Sequence, residues 1–117
     1  MKTYEGSCHC GAIRYQVTME PPTKAMSCNC SICRRTGALL VFAPRSAFTL
    51  VSGEGALGDY QFGKKRIHHQ FCRTCGLRPF AHGSDGKGNE MVAINLRCVH
   101  DFDLDGLTVE KFDGASI

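Results

Sequence analysis

Closely spaced cysteines are the feature that most constrains how this chain can fold. Seven of its eight cysteines lie in three short clusters, within residues 8–10, 28–33 and 72–75. Cysteines one or two residues apart can direct their sulfur atoms to one point, as a tetrahedral zinc ion requires. A structural zinc takes four such ligands, whereas a catalytic zinc takes three and keeps one position open. The clustered thiols therefore divide naturally into a group of four and a group of three.

The length and composition are those of an ordinary small globular protein. The 117 residues, 43% hydrophobic and 21% charged, predict a single zinc-binding domain over residues 1–117. The sequence contains neither a run of about 18 apolar residues nor the apolar segment of a secretory signal, so we expect no membrane association. A cytoplasmic location follows, and there thiols stay reduced and bind metal rather than form disulfides.

Short apolar runs and period-two alternation predict a mainly β fold of antiparallel sheets, with metal-binding loops between the strands. The clearest alternation lies in residues 12–19. Further strands are predicted at residues 39–43, 48–51, 57–62, 66–71, 90–96 and 107–112. Only single helical turns are expected, at residues 31–35 and 44–48, because no longer segment keeps a period of about 3.6 residues.

Three weaker patterns predict structure rather than chemistry. The glycines of residues 53–58 match a dinucleotide-binding fingerprint, but a strand-like stretch follows them, which favours a hairpin. The aspartates of residues 101–106 begin like a calcium loop, but the final acidic ligand is replaced by Phe112, which favours a solvated turn. Cys98 shares an apolar face with Ile94 and Leu96, so we expect a buried strand residue.

The first and last clusters predict a closed metal site made by Cys8, Cys10, Cys72 and Cys75. Gly76 follows the second pair and lets the chain turn, so that backbone N–H groups can point at sulfur. One metal bound by both pairs would tie the start of the chain to its later half.

The middle cluster supplies three thiolates, from Cys28, Cys30 and Cys33. Three ligands leave one position for water or substrate, which is the layout of a catalytic zinc. Arg34 and Arg35 follow directly and are candidates to hold an anionic group of a ligand. The alternative is a second structural site, and the candidates for its fourth ligand are His68, His69, His82, His100 and Cys98.

Residues 6–15, 28–37 and 71–76, each containing one of the cysteine clusters, together resemble the glutathione-dependent formaldehyde-activating enzyme family, related to centromere protein V. The resemblance implies a β-tent fold and two zinc ions per chain, one structural on the group of four and one catalytic on the group of three. It also implies a small-molecule thiol such as glutathione as substrate. The family's middle motif usually has a histidine where this chain has Asn29, so hydrogen bonding around that centre should differ.

The functional hypothesis is a zinc-dependent carbon–sulfur lyase resembling S-(hydroxymethyl)glutathione synthase, in which Cys28, Cys30 and Cys33 form the catalytic centre. His82 and His100 are candidates for a general base, and exposed strand edges make a homodimer plausible. The alternative is a non-catalytic zinc module that binds protein or nucleic acid, with both sites structural. Nucleic acid is the weaker option, because thiolates and zinc would offset the formal charge of +3 and the basic residues are scattered. A third possibility is a redox or metal-storage protein.

Overall fold

The computed structural model describes residues 1–116, and its regular elements are mainly β-strands. The strands are β1 (Lys2–Ser7), β2 (Arg14–Met19), β3 (Lys24–Cys28), β4 (Leu40–Pro44), β5 (Phe48–Ser52), β6 (Leu57–Tyr60), β7 (Ile67–Cys72), β8 (Phe80–Ser84), β9 (Glu90–Asn95) and β10 (Thr108–Phe112). One short helix, α1, spans Cys33–Thr36. Short 3-10 turns lie at Arg45–Ala47, Glu54–Ala56, Leu96–Cys98, Leu104–Gly106 and Gly114–Ser116. The prediction of a mainly β fold with only short helical turns is confirmed.

The strands form two sheets. One has the order β1-β2-β5, and the other has the order β10-β3-β4-β9-β8-β7-β6. Neighbouring strands pair antiparallel as predicted, except β10 and β3, which run parallel at the edge of the larger sheet. A parallel pair needs a long crossover connection. Here the chain makes that crossover between β9 and β10, and β10 reaches the free edge of β3 beside the middle cysteine cluster.

An aromatic cluster joins the two sheets. The alternation predicted for residues 12–19 is realised in β2, whose Tyr15 and Val17 are buried while the intervening residues face solvent. The Tyr15 ring stacks on Phe48 of β5 with the ring centroids 5.3 Å apart. Both rings also pack edge-on against Phe80 of the seven-stranded sheet. The ring centroid of Phe80 lies 5.6 Å from that of Tyr15 and 4.8 Å from that of Phe48. Burial of these large apolar surfaces holds the sheets face to face.

Three strands were missed by the sequence analysis, namely β1, β3 and β8. Their sequences mix polar, small and glycine residues, and each has few of the branched or aromatic residues that favour strands. Cys98 is buried as predicted, but it lies in a 3-10 turn rather than in a strand. The aspartate-rich segment is a turn as predicted, and Asp103 Oδ1 accepts a hydrogen bond from the Asp105 N–H at 3.0 Å.

The predicted hairpin at residues 53–58 is wrong. The strands on its two sides belong to different sheets, because β5 pairs with β2 whereas β6 pairs with β7. Gly53 has a φ of 93°, and a Cβ there would collide with the carbonyl oxygen of Ala12. The glycine therefore lets the chain pass close to the start of β2 as it crosses between sheets. None of the helices in residues 1–116 is long and apolar enough to cross a membrane.

The buried hydroxyl of Tyr15 yields a test of the aromatic cluster. This oxygen has no hydrogen-bond partner among the described residues. A buried polar group without a partner costs about 1–3 kcal/mol, so Tyr15→Phe should leave the free energy of unfolding unchanged or raise it. Tyr15→Leu removes the ring and should destabilise the protein by about 1–3 kcal/mol. Chemical denaturation of both variants measures this, and a clear loss of stability in Tyr15→Phe would contradict it.

Candidate functional site

Two similar turns bring the first and last cysteine clusters together. Cys8 follows β1, and Cys72 ends β7. Each turn closes at a glycine with a φ of 82°, at Gly11 and at Gly76. The Gly11 N–H donates to the Cys8 carbonyl at 3.3 Å, and the Gly76 N–H donates to the Cys72 carbonyl at 2.7 Å. The left-handed conformation that each turn requires is one that glycine adopts without strain.

The four sulfur atoms of this group surround one point. The Sγ atoms of Cys8, Cys10, Cys72 and Cys75 all lie within 4.8 Å of one another. Cys10 Sγ lies 3.6 Å from Cys8 Sγ and 3.6 Å from Cys72 Sγ. These distances are far longer than a disulfide bond of about 2.05 Å, and all the cysteines are free thiols. The arrangement could therefore hold a metal ion between the four sulfur atoms.

Backbone N–H groups point at these sulfurs. The Ile13 N–H donates to Cys8 Sγ at 3.3 Å, and the Thr74 N–H donates to Cys72 Sγ at 3.4 Å. Backbone N–H groups at Leu77 and at Cys10 lower the pKa of Cys75 to about 6. The second turn also lowers the pKa of Cys72, through the Cys75 N–H, so it favours the thiolate form of Cys72 and Cys75, which is the form that binds metal.

The middle cluster forms a second group on the seven-stranded sheet. Cys28 ends β3, Cys30 lies in the following turn, and Cys33 begins α1. Their sulfur atoms also lie within 4.8 Å of one another. Burial and the neighbouring Cys30 thiol raise the pKa of Cys33 to about 12. A cation at the centre of the group would favour the thiolate form of Cys33.

No fourth side chain completes this second group within residues 1–116. The group of candidate ligands contains the three cysteines and no histidine, carboxylate or further cysteine. His68 Nδ1 donates to Asp59 Oδ2 at 2.8 Å, and His100 Nε2 contacts Ser7 Oγ at 2.8 Å. Within the described residues the group therefore offers three ligand atoms, and an open catalytic position stays a prediction.

The C-terminal segment closes one side of the three-cysteine group. Asn29 Nδ2 donates to Asp113 Oδ1 at 2.9 Å, and Asn29 Oδ1 accepts from the Ala115 N–H at 2.9 Å. Gly114 lies so close that a Cβ there would be 2.5 Å from Cys28 Sγ. Asn29, which stands where histidine is usual, thus fixes this segment against the cysteines. Sequence analysis expected altered hydrogen bonding here but gave no partner.

A cavity of about 440 Å³ opens beside the three cysteines. All three line it, together with residues of β4, β7, β8 and β9. The other lining residues are Met26, Ile32, Thr36, Ala38, Leu40, Phe42, Phe62, Ile67, His69, Arg78, Phe80, Ala81, Ala93, Asn95 and Phe112. The open side of the cysteine group therefore faces a space large enough for a small molecule.

Arg78 and His69 form a polar pair in the cavity wall. Arg78 Nη2 donates to His69 Nδ1 at 2.7 Å, and Asn95 Nδ2 donates to the backbone carbonyl oxygen of Arg78 at 3.2 Å. Burial, and after it the Arg78 guanidinium, lower the pKa of His69 to about 4. The ring is therefore neutral near pH 7, and its proton is on Nε2, because Nδ1 accepts from Arg78.

The Arg78 guanidinium has hydrogen-bond partners for only some of its N–H groups. Its Nε atom is buried without a hydrogen-bond partner, and the described residues place no carboxylate in an ion pair with it. Burial lowers the pKa of the Arg78 guanidinium, and this is the larger effect. The nearby thiolates of Cys33 and Cys30 act in the opposite direction and raise its pKa. The sequence analysis did not single out Arg78 or His69 as substrate contacts. Arg78 follows the last cysteine cluster in sequence, and only the fold brings it to the middle one.

The arginines that the sequence favoured lie elsewhere. Arg34 and Arg35 are exposed residues of α1, and neither lines the cavity. Arg35 Nη1 donates to the Ser31 carbonyl at 2.6 Å. His82 and His100, the candidate bases, do not line this cavity either.

Comparison with known proteins gives results that agree with this geometry. A solved structure of a Rhodobacter sphaeroides protein superposes with a TM-score of 0.82 and 32% sequence identity, over 92% of this chain and 99% of that one. A Halomonas elongata protein, named for glutathione-dependent formaldehyde activation, is 56% identical over 32 residues, which are 27% of this chain. The match spans only 20% of the length of that relative.

The family model described as glutathione-dependent formaldehyde-activating enzyme matches residues 3–111. This range contains both cysteine groups and ends within β10. The resemblance inferred from the cysteine motifs is therefore confirmed, and the chain belongs to the glutathione-dependent formaldehyde-activating enzyme family.

Proposed function

We propose that this chain is a zinc-dependent carbon–sulfur lyase that forms or splits the adduct of a thiol and an aldehyde at Cys28, Cys30 and Cys33. One observation carries the proposal: the cysteines divide into a group of four that closes on itself and a group of three that faces a cavity. A purely structural second site would need a fourth ligand, and residues 1–116 supply none within reach of the three sulfurs.

Zinc is the metal that best suits both groups. Thiolate ligands in a tetrahedral arrangement are typical of zinc, and a zinc–sulfur distance of about 2.3 Å sets the sulfur atoms about 3.8 Å apart. The 3.6 Å separations in the group of four are close to that value. We therefore propose two zinc ions per chain, one structural on Cys8, Cys10, Cys72 and Cys75 and one catalytic on the group of three.

The chemistry is the reversible addition of a thiolate to a carbonyl. Bound zinc would supply a Lewis acid that lowers the pKa of the substrate thiol and keeps its sulfur in place. The sulfur forms a bond to the carbonyl carbon, the C=O electron pair moves to oxygen, and that oxygen takes up a proton. In reverse, the proton leaves, the C=O bond re-forms and the C–S bond breaks. Arg78 places a positive charge beside this reaction, and the neutral His69 offers an N–H donor.

Glutathione is the proposed thiol because the family is named for its dependence on it. That Arg34 and Arg35 hold a glutathione carboxylate stays a prediction, and both would act from the rim rather than from inside the cavity. A single domain, a cytoplasmic location and a homodimer also stay predictions.

Metal content and stability separate the two sites. Cys72→Ser should greatly lower the unfolding temperature, because a structural zinc contributes energy comparable to the whole stability of a small domain. Cys30→Ser should leave a folded chain that binds about one zinc instead of two. Metal analysis and thermal unfolding measure both effects. Equal destabilisation by the two substitutions would instead favour two structural sites.

Catalysis is tested with the same variant. Magnetisation-transfer NMR measures the exchange between free glutathione and its formaldehyde adduct, with and without protein. Wild-type protein should accelerate the exchange above the uncatalysed rate, and Cys30→Ser should lose about all of that acceleration. Exchange at the uncatalysed rate with fully zinc-loaded wild-type protein would reject the enzyme and favour the non-catalytic zinc module.

Gly114 provides a test that leaves every cysteine in place. The Cβ of Gly114→Ala would lie 2.5 Å from Cys28 Sγ, so either the C-terminal segment or the sulfur must move. We expect about tenfold weaker binding of the second zinc, measured by competition with a chelator, with little change in the unfolding temperature. Gly55→Ala is the matched control, since a Cβ there meets nothing within 4 Å. Unchanged zinc affinity in Gly114→Ala would show that this contact does not constrain the site.

A further inference from the structure

Building on the proposed function, we infer that the adduct handled at the three-cysteine centre carries an apolar substituent larger than a methyl group, which occupies the adjoining cavity. Formaldehyde has no such substituent, and the peptide part of glutathione is strongly polar. The apolar group therefore belongs either to a larger aldehyde or to a different thiol.

Exposed apolar side chains concentrate around this cavity. Phe42 is 51% exposed, Ile67 46%, Phe112 42% and Phe62 38%, and all four line it. They come from β4, from the β6–β7 connection and the start of β7, and from β10, so neighbouring sequence does not explain the convergence of these three regions. A contiguous group of large apolar side chains left open to water on a small protein commonly marks a binding site.

The interior of the cavity is also mainly apolar. Apolar side chains make up most of its lining, and its polar members are Thr36, His69, Arg78 and Asn95 besides the cysteines. None of the described lining residues is a carboxylate or a lysine, so nothing there would pair with an ammonium group. Glutathione carries an ammonium group and two carboxylates, and burying these groups without partners is costly.

The positive charge of Arg78 determines which part of the cavity would bind the polar end of the ligand. It supplies the one permanent cation among the described lining residues, close to Cys30 and Cys33. A developing oxyanion at the reacting carbon would lie near this guanidinium when the sulfur is at the cysteine centre. The substituent on that carbon, or on the sulfur, then extends toward Phe42 and Ile67 at the open end.

The reaction needs no additional reactant for this class of substrate. A thiolate sulfur forms a bond to the carbon of RCHO, the carbonyl electron pair moves to oxygen, and a proton from the thiol or from water completes the hemithioacetal. The reverse step returns the thiol and the aldehyde. The substituent R takes no part in the bond changes, so its burial contributes only binding energy.

Binding to the zinc-loaded protein provides the test. Isothermal titration compares benzyl mercaptan with 2-mercaptoethanol, and it compares glutathione plus phenylacetaldehyde with glutathione plus formaldehyde. We expect benzyl mercaptan or the phenylacetaldehyde mixture to bind at least about tenfold more tightly than its polar counterpart. A preference in the first comparison assigns the apolar group to the thiol, and one in the second assigns it to the aldehyde.

Phe42→Thr should reduce that preference about threefold or more, because it removes an aromatic ring from the cavity wall while keeping a strand-forming residue. Val51→Thr is the matched control, since Val51 is 55% exposed and lies away from the cavity. Thermal unfolding of both variants verifies that each is folded. A Phe42→Thr variant that retains the full preference would overturn the assignment of this cavity.

Cobalt-substituted protein distinguishes failure of this inference from failure of the proposed function. A thiol whose sulfur joins the centre should change the sulfur-to-cobalt charge-transfer absorption. If thiols change this absorption but show no apolar preference in either comparison, the substrate class is wrong and the proposed centre stands. If no thiol changes it, the proposed function itself is rejected, and this inference with it.

Discussion

The convergence of Cys8, Cys10, Cys72 and Cys75 is the constraint on which the rest of this structure depends. The first pair extends from the three-stranded sheet, and the second extends from β7 of the seven-stranded sheet. A zinc ion bound by all four, as proposed, would contribute on the order of 10–16 kcal/mol, which matches or exceeds the net stability of a typical domain of about 5–15 kcal/mol. The aromatic contact of Tyr15, Phe48 and Phe80 joins the same two sheets. The proposed metal ligation would thus fix, at a second place, the same arrangement of the sheets that apolar packing fixes.

The two cysteine groups have similar ligands and differ in what surrounds them. In the group of four, both pairs lie on tight glycine turns whose N–H groups point at sulfur, and the group closes on itself. In the group of three, the C-terminal segment covers Cys28 on one side and the cavity leaves the other side open. In the proposed function, the same thiolate chemistry would serve stability in the group of four and ligand binding in the group of three.

Cysteine spacing and alternation were sufficient to predict the mainly β fold, the two ligand groups and the family. They were sufficient because ligands close in sequence meet locally, whatever the rest of the chain does. The missed features depend on contacts distant in sequence. β1 and β3 contain few strand-favouring residues and are stabilised by their partners, and the parallel pairing of β10 follows from a long crossover. Asn29 meets Asp113 across 84 residues, and no local pattern indicates that contact.

Arg78 shows most clearly why the cavity could not be read from the sequence. It lies three residues after Cys75, where it looks like charge compensation for the group of four. In the folded chain its guanidinium contacts His69 and faces the group of three instead. The turn at Cys72–Cys75 therefore has two consequences. It completes the group of four cysteines, and it directs the chain back so that Arg78 enters the cavity wall. Because His69 and Cys72 both belong to β7, a metal bound at Cys72, as proposed, would also hold one wall of the cavity. The geometry of the proposed catalytic centre thus depends on the structural one, although the two share no ligand.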